Sequence, residues 1–173
     1  MFGIFKKEVS IVDVVNFHVT QVDVIKDGID ESAIDGGFYS SEFILESYAL
    51  SFIIGIYIIQ ISKFNDRSAH RLSASFTGVW ADKLVSELPE LEFNENEAVL
   101  YLQNKLTRYS QTCELVSNDT DRIKMFYFFM IKEINEEPSE HTRIVNGMGK
   151  GICLMISAMT KELNKANKEF KLK

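Results

Sequence analysis

The chain predicts an all-α fold, a single-domain bundle of about six antiparallel helices over residues 1–173. Three observations carry this expectation. Apolar residues recur at spacings of three and four along almost the whole sequence, the period that places them on one face of a helix. Only two prolines, Pro89 and Pro138, interrupt that period. A length of 173 residues, with 46% hydrophobic and 25% charged side chains, suffices for one buried core without disulfides or metals.

The first helix is expected over about residues 8–26, where Ile11, Val14, Val15, His18, Val22 and Ile25 form one stripe. Its many valines make a strand the rival reading. A loop follows over 27–39, marked by Gly28, Gly36 and Gly37, and a second helix runs over about 41–64 behind a Ser40 or Ser41 cap. The third spans about 67–88, with Asp66 as its cap and Pro89 just beyond its end. Asn94, followed by Glu97 at the third helical position, resembles a capping box and starts a fourth helix that reaches about Val116. Asn118 or Asp119 caps a fifth, ending near Asn135. The sixth starts near Ser139, after Pro138, and runs with room for an interruption into a lysine-rich tail. The terminal segments 1–7 and 169–173 are expected to fray.

Helices two and five are apolar on nearly every side, so each must be enclosed. Either the other helices cover both, or a second copy of the chain covers one and the protein is a homodimer. The uncharged stretch 47–62 is shorter than the roughly 20 residues that cross a bilayer, so it reads as a buried helix and not as an integral membrane insertion. Cys113 and Cys153 form no CxxC pair, and the apolar residues Phe2, Ile4 and Phe5 precede Lys6 and Lys7, the wrong order for a secretory signal. A cytoplasmic location is expected. A peripheral membrane protein using that N-terminal tip is a minor alternative.

The segment Asn146 to Gly151 holds Gly147, Gly149, Lys150 and Gly151. Three readings compete: a face of glycines for close helix packing, a kink or break in the helix, and an anion-binding loop with Lys150 neutralising the ligand. Ser47, Ser51 and Gly55 offer a matching stripe of small residues on helix two. His18, His70 and His141 complete neither HExxH nor ExxH, so no metal site and no cofactor are expected. His18 reads as a hydrogen-bonded histidine at the edge of the core. No nucleophile elbow or other catalytic motif is present, and an enzyme is the less favoured class.

Charge is unevenly placed. The net charge of −6 argues against nucleic acid as a partner. Residues 27–35 hold four acids, 87–97 hold five glutamates and 133–140 hold four, with no Lys or Arg in any of these windows. They fall on the first, third and fifth connections, which share one end of an up-and-down bundle. Glu87, Glu133, Glu136 and Glu137 lie near helix C-termini, where local stability favours cations. The expectation is a non-catalytic interaction module, of inhibitor, toxin-neutralising or adaptor type. It docks a basic protein or basic segment through Glu90, Glu92, Glu95, Glu136 and Glu137, with Leu91 and Phe93 as apolar anchors. The competing class is a small-ligand binder or enzyme with its anion site at 146–151.

Overall fold

Four short polar side chains start the first four helices. Ser10 Oγ accepts from the N–H groups of Val12 and Asp13 at 3.1 and 3.3 Å and opens α1 (Ile11–Gly36). Ser40 Oγ accepts from Phe43 N–H and opens α2 (Ser41–Ile61). Asn65, and not the expected Asp66, caps α3 (Asp66–Glu87) by accepting from Ser68 N–H at 2.9 Å. Asn94 and Glu97 form the expected reciprocal pair ahead of α4 (Glu95–Cys113): each side chain accepts the other's backbone N–H. α5 (Asp119–Glu133) and α6 (Thr142–Glu169) complete the set. The computed structural model describes residues 7–37, 39–113, 119–134 and 142–172, so the expected caps at Asn118 and Ser139 lie outside the described residues.

The valine-rich stretch is a helix from Ile11 onward, with only residues 8–9 of the expected span in a short strand, and this helix is longer than expected. α1 does not end near residue 26 but continues to Gly36, so the acidic window 27–35 is helical and not a loop. Ile25, Ile29 and Ala33 extend the buried stripe through this region and are fully covered. Their burial outweighs the roughly 1 kcal/mol that Gly28 costs inside a helix. The turn comes at Gly37, whose φ of 74° is left-handed and whose N–H caps the last carbonyls.

α2 is the hub. It touches α1, α3, α4, α5 and α6, and those five touch one another in the cyclic order α1, α3, α4, α5, α6, closing a ring around it. From Phe43 to Ile59 nearly every side chain of α2 is buried. Length and composition alone would let α2 cross a membrane, yet here protein encloses it. That enclosure also occupies the face a homodimer through helix two requires. α5 turns Ile123, Phe126, Tyr127, Met130 and Ile131 inward, and among the described residues the most exposed large apolar side chains lie instead on α1, α4 and α6.

The chain ends pair. β1 (Lys7–Val9) runs parallel to β2 (Phe170–Leu172), with Lys7 opposite Phe170 and Val9 opposite Leu172, where the sequence suggested fraying. Their backbone hydrogen bonds tie the start of α1 to the end of α6.

Neither Gly147 nor Gly151 is a glycine that close packing requires. Those residues lie in the uninterrupted interior of α6, and a Cβ on Gly147 or Gly151 would meet no described atom within 4 Å. A Cβ on Gly55 would stand 2.5 Å from Phe76 Cζ and 3.1 Å from Val22 Cγ2. Phe76 cannot yield, because His18, Phe52 and Trp80 hold its ring at centroid distances of 4.9, 5.8 and 5.5 Å. The two substitutions should therefore differ in sign. Gly55→Ala is expected to cost about 1–3 kcal/mol through overpacking, and Gly151→Ala to add about 0.5–1 kcal/mol through helix propensity. Urea unfolding of both variants checks this, and equal shifts would contradict the packing described.

Candidate functional site

The first two turns of α2 gather the ends of α3 and α5. Tyr48 OH donates to Glu87, the last residue of α3. Glu46 accepts from Lys105 of α4, whose ammonium also lies 3.1 Å from Glu133, the last residue of α5. Ser32, in the last turns of α1, meets Tyr127 OH of α5 at 2.5 Å. The C-terminal ends of α1, α3 and α5 thus converge on one end of the bundle, as alternation along short connections requires.

Most acids that point inward at this end carry their own counter-ions. Between α1, α2 and α3, Lys83 bridges Asp23 at 3.0 Å and Glu87 at 2.9 Å, while Lys26 pairs with Asp30 at 2.7 Å and lies over the Tyr48 ring. Burial alone would raise the Glu87 carboxyl. The hydrogen bonds from Lys83 and Tyr48, with the charges of Lys83 and Lys26, outweigh that and hold it below the usual carboxylate range. Lys83 is correspondingly raised, its bonds to Glu87 and Asp23 outweighing desolvation. Between α2, α4 and α5, Glu46 is held by Lys105 and by the hydroxyls of Tyr101 and Tyr109 at 3.2 and 3.4 Å. Burial first, and then the Glu46 charge, push both tyrosines well above their ordinary range, so they remain donors. Arg108 closes on Glu133 at 2.6 Å.

What remains open is the connection between α3 and α4. Pro89 to Leu91 form one 3₁₀ turn, and Glu92 follows at φ 52°, the one non-glycine residue in the left-handed region among those described. Glu90, Glu92 and Glu95 are exposed, and no ion pair among the described residues involves them. Leu91 and Phe93 do not project as the expected anchors. Both are half-buried against the core, with the Phe93 ring 5.8 Å from that of Tyr101, and they fasten the connection down. Glu136 and Glu137 lie outside the described residues. On α1, Asp27, Glu31 and Asp35 form an exposed stripe at the same end.

No known protein family, curated protein or solved structure matches the chain. Its chemistry must be read from its own side chains.

The anion-loop alternative loses its geometry. Gly147, Gly149, Lys150 and Gly151 sit on consecutive turns of α6, where backbone N–H groups are committed to the helix, and Lys150 is exposed. Among the described residues, no three His, Cys, Asp or Glu side chains are grouped to hold a metal ion. His18 is hydrogen-bonded as expected, its Nε2 3.0 Å from the Gly55 carbonyl oxygen, but it lies inside the core and not at its edge.

One group of residues escaped the sequence reading. Tyr101, Lys105 and Tyr109 repeat at four-residue spacing on α4, and that polar-tipped stripe was the available signal for a buried acid opposite. Lys161, Lys165 and Lys168, on one face of α6, meet Lys63 from the α2–α3 connection across a cleft of about 330 Å³ at the other end of the bundle.

Proposed function

We propose that the protein is a non-catalytic interaction module of the cytoplasm that docks a basic protein segment on the acidic connection carrying Glu90, Glu92 and Glu95. One observation supports the reading most: neighbouring acids that face inward are matched by Lys26, Lys83, Lys105 or Arg108, whereas these three face solvent without a described counter-ion. The exposed Asp27, Glu31 and Asp35 add to the same negative field, which steers a cationic partner toward this end. Because Leu91 and Phe93 are largely committed to the core, charge carries more of the recognition than apolar burial does. The left-handed Glu92 costs about 1 kcal/mol of backbone strain, a cost accepted where the side chain has a use.

The test is capture from the native host with the wild-type chain and with Glu90→Lys/Glu92→Lys/Glu95→Lys, followed by kinetics on any protein that only the wild type retains. The association rate is expected to fall about tenfold in the variant, and to slow in the wild type as salt rises from about 50 to several hundred millimolar. Glu92→Gly should bind more weakly while unfolding at higher urea. Salt-independent association would reject the proposal.

A further inference from the structure

We infer that the lysine cleft at the opposite end of the bundle is a binding site for a polyphosphorylated ligand without an aromatic base. Lys161, Lys165 and Lys168 stand at i, i+4 and i+7 on α6, and Lys63 faces them from the α2–α3 connection, with Asn164 on the wall. The peptide of Lys63 is held on both sides. Its N–H donates to Asn164 Oδ1, and its carbonyl accepts from Asn167 Nδ2. The point where the Lys63 side chain leaves the backbone is therefore set in advance, and Asn164 keeps its amide N–H groups as donors to the cleft.

The charge is the second part of the argument. All four lysines are exposed, and no ion pair among the described residues engages any of them. In a chain of net charge −6, three of the four cations come from the lysine-rich end of α6 and the fourth, Lys63, from an element about a hundred residues away. The α6 dipole favours lysines in its last turns, but it does not account for Lys63, which belongs to another element and is pinned by two asparagines. An anion lowers the mutual repulsion that this grouping creates.

The lining also selects the ligand class. Lysine meets phosphate oxygens as a compact point charge, and four such charges, with no arginine fork in the described lining, suit a ligand that carries several anionic groups rather than one planar carboxylate. No described aromatic ring lines the cleft to stack a base. A volume of about 330 Å³ exceeds one phosphate and suits several phosphates on a small carrier. Such a group occurs free in solution or as a lipid headgroup.

Isothermal titration with inorganic tripolyphosphate, and sedimentation with phosphatidylcholine vesicles carrying phosphatidylinositol bisphosphate, separate these sources. Two double variants remove equal charge: Lys63→Ala/Lys165→Ala from the cleft and Lys132→Ala/Lys150→Ala from elsewhere. The expected result is one-to-one tripolyphosphate binding, weakened at least tenfold by the cleft variant and unchanged by the control, with far-ultraviolet circular dichroism unchanged in both. Vesicle binding with the same dependence on the cleft, and no tripolyphosphate binding, assigns the ligand to a headgroup and also supports the site. Binding to neither probe, or equal weakening by both variants, overturns it. No protein partner enters this measurement, so its failure leaves the acidic connection's role untouched.

Discussion

Lys105→Met is expected to destabilise the protein by about 3–5 kcal/mol, the effect of leaving one member of a buried ion pair without its partner. Glu46 is 7% exposed and Lys105 places its ammonium between Glu46 and Glu133, with 13% of its side chain in contact with solvent. Methionine fills the stem volume but leaves the Glu46 charge facing Tyr101 and Tyr109 alone. Two neutral hydroxyls supply hydrogen bonds and no compensating charge. Glu133 is less affected, because Arg108 remains on it from the exposed side. The double variant Lys105→Met/Glu46→Gln removes both charges, and an amide can still accept from either tyrosine, so most of the lost stability should return. Urea unfolding of the two single variants and the double variant measures the coupling. A Lys105→Met loss below about 1 kcal/mol would mean that water reaches the pair.

Acidification should destabilise the chain through His18. Burial lowers this imidazole from 6.5 to about 4, its hydrogen bond to the Gly55 carbonyl only partly opposing the loss of water. The folded state therefore holds His18 neutral, with Nε2–H as donor to Gly55 and the ring tilted against Phe76. Between pH 6.5 and 4 the unfolded chain binds a proton that the folded chain does not, so stability falls with pH in that window. The loss is about 2 kcal/mol at pH 5 and about 3 kcal/mol at pH 4, with no contribution above pH 7. The lowered carboxyl of Glu87 adds a further loss that starts as pH falls toward its ordinary value of 4.5, where the unfolded chain begins to bind that proton and the folded chain does not. His18→Gln keeps a donor for Gly55 and removes the titration, so its stability profile between pH 7 and 5 should be flatter. A wild-type profile level over that range would place His18 in contact with water.

The legibility of the sequence differed from element to element for physical reasons. The capping pair of Asn94 and Glu97 was readable because both partners lie within one helical turn and satisfy each other locally. The end of α1 was not readable locally. Gly28 among four acids has the composition of a turn, yet burial of Ile29 and Ala33 against other elements carries the helix on to Gly36. The glycines failed as signals in the same way. Gly147 and Gly151 share one helical face and suggest close approach, whereas the close approach occurs at Gly55, where α1 and α3 meet over α2. At the candidate acidic connection, the exposure of Glu90, Glu92 and Glu95 was legible from charge and connection length, while the loss of Leu91 and Phe93 to the core required the packing.

The hydropathy period, the breaks at proline and the local caps determined by themselves that this chain forms six helices with an apolar second helix, because those are interactions among residues close in sequence. Only the tertiary structure decided that five helices ring α2, that Lys105 neutralises Glu46 while the acids of the 89–95 connection stay open, and that Lys63 and three lysines of α6 line a single cleft. These depend on distances between side chains as far as a hundred residues apart. Packing sets such distances, and sequence spacing does not encode them.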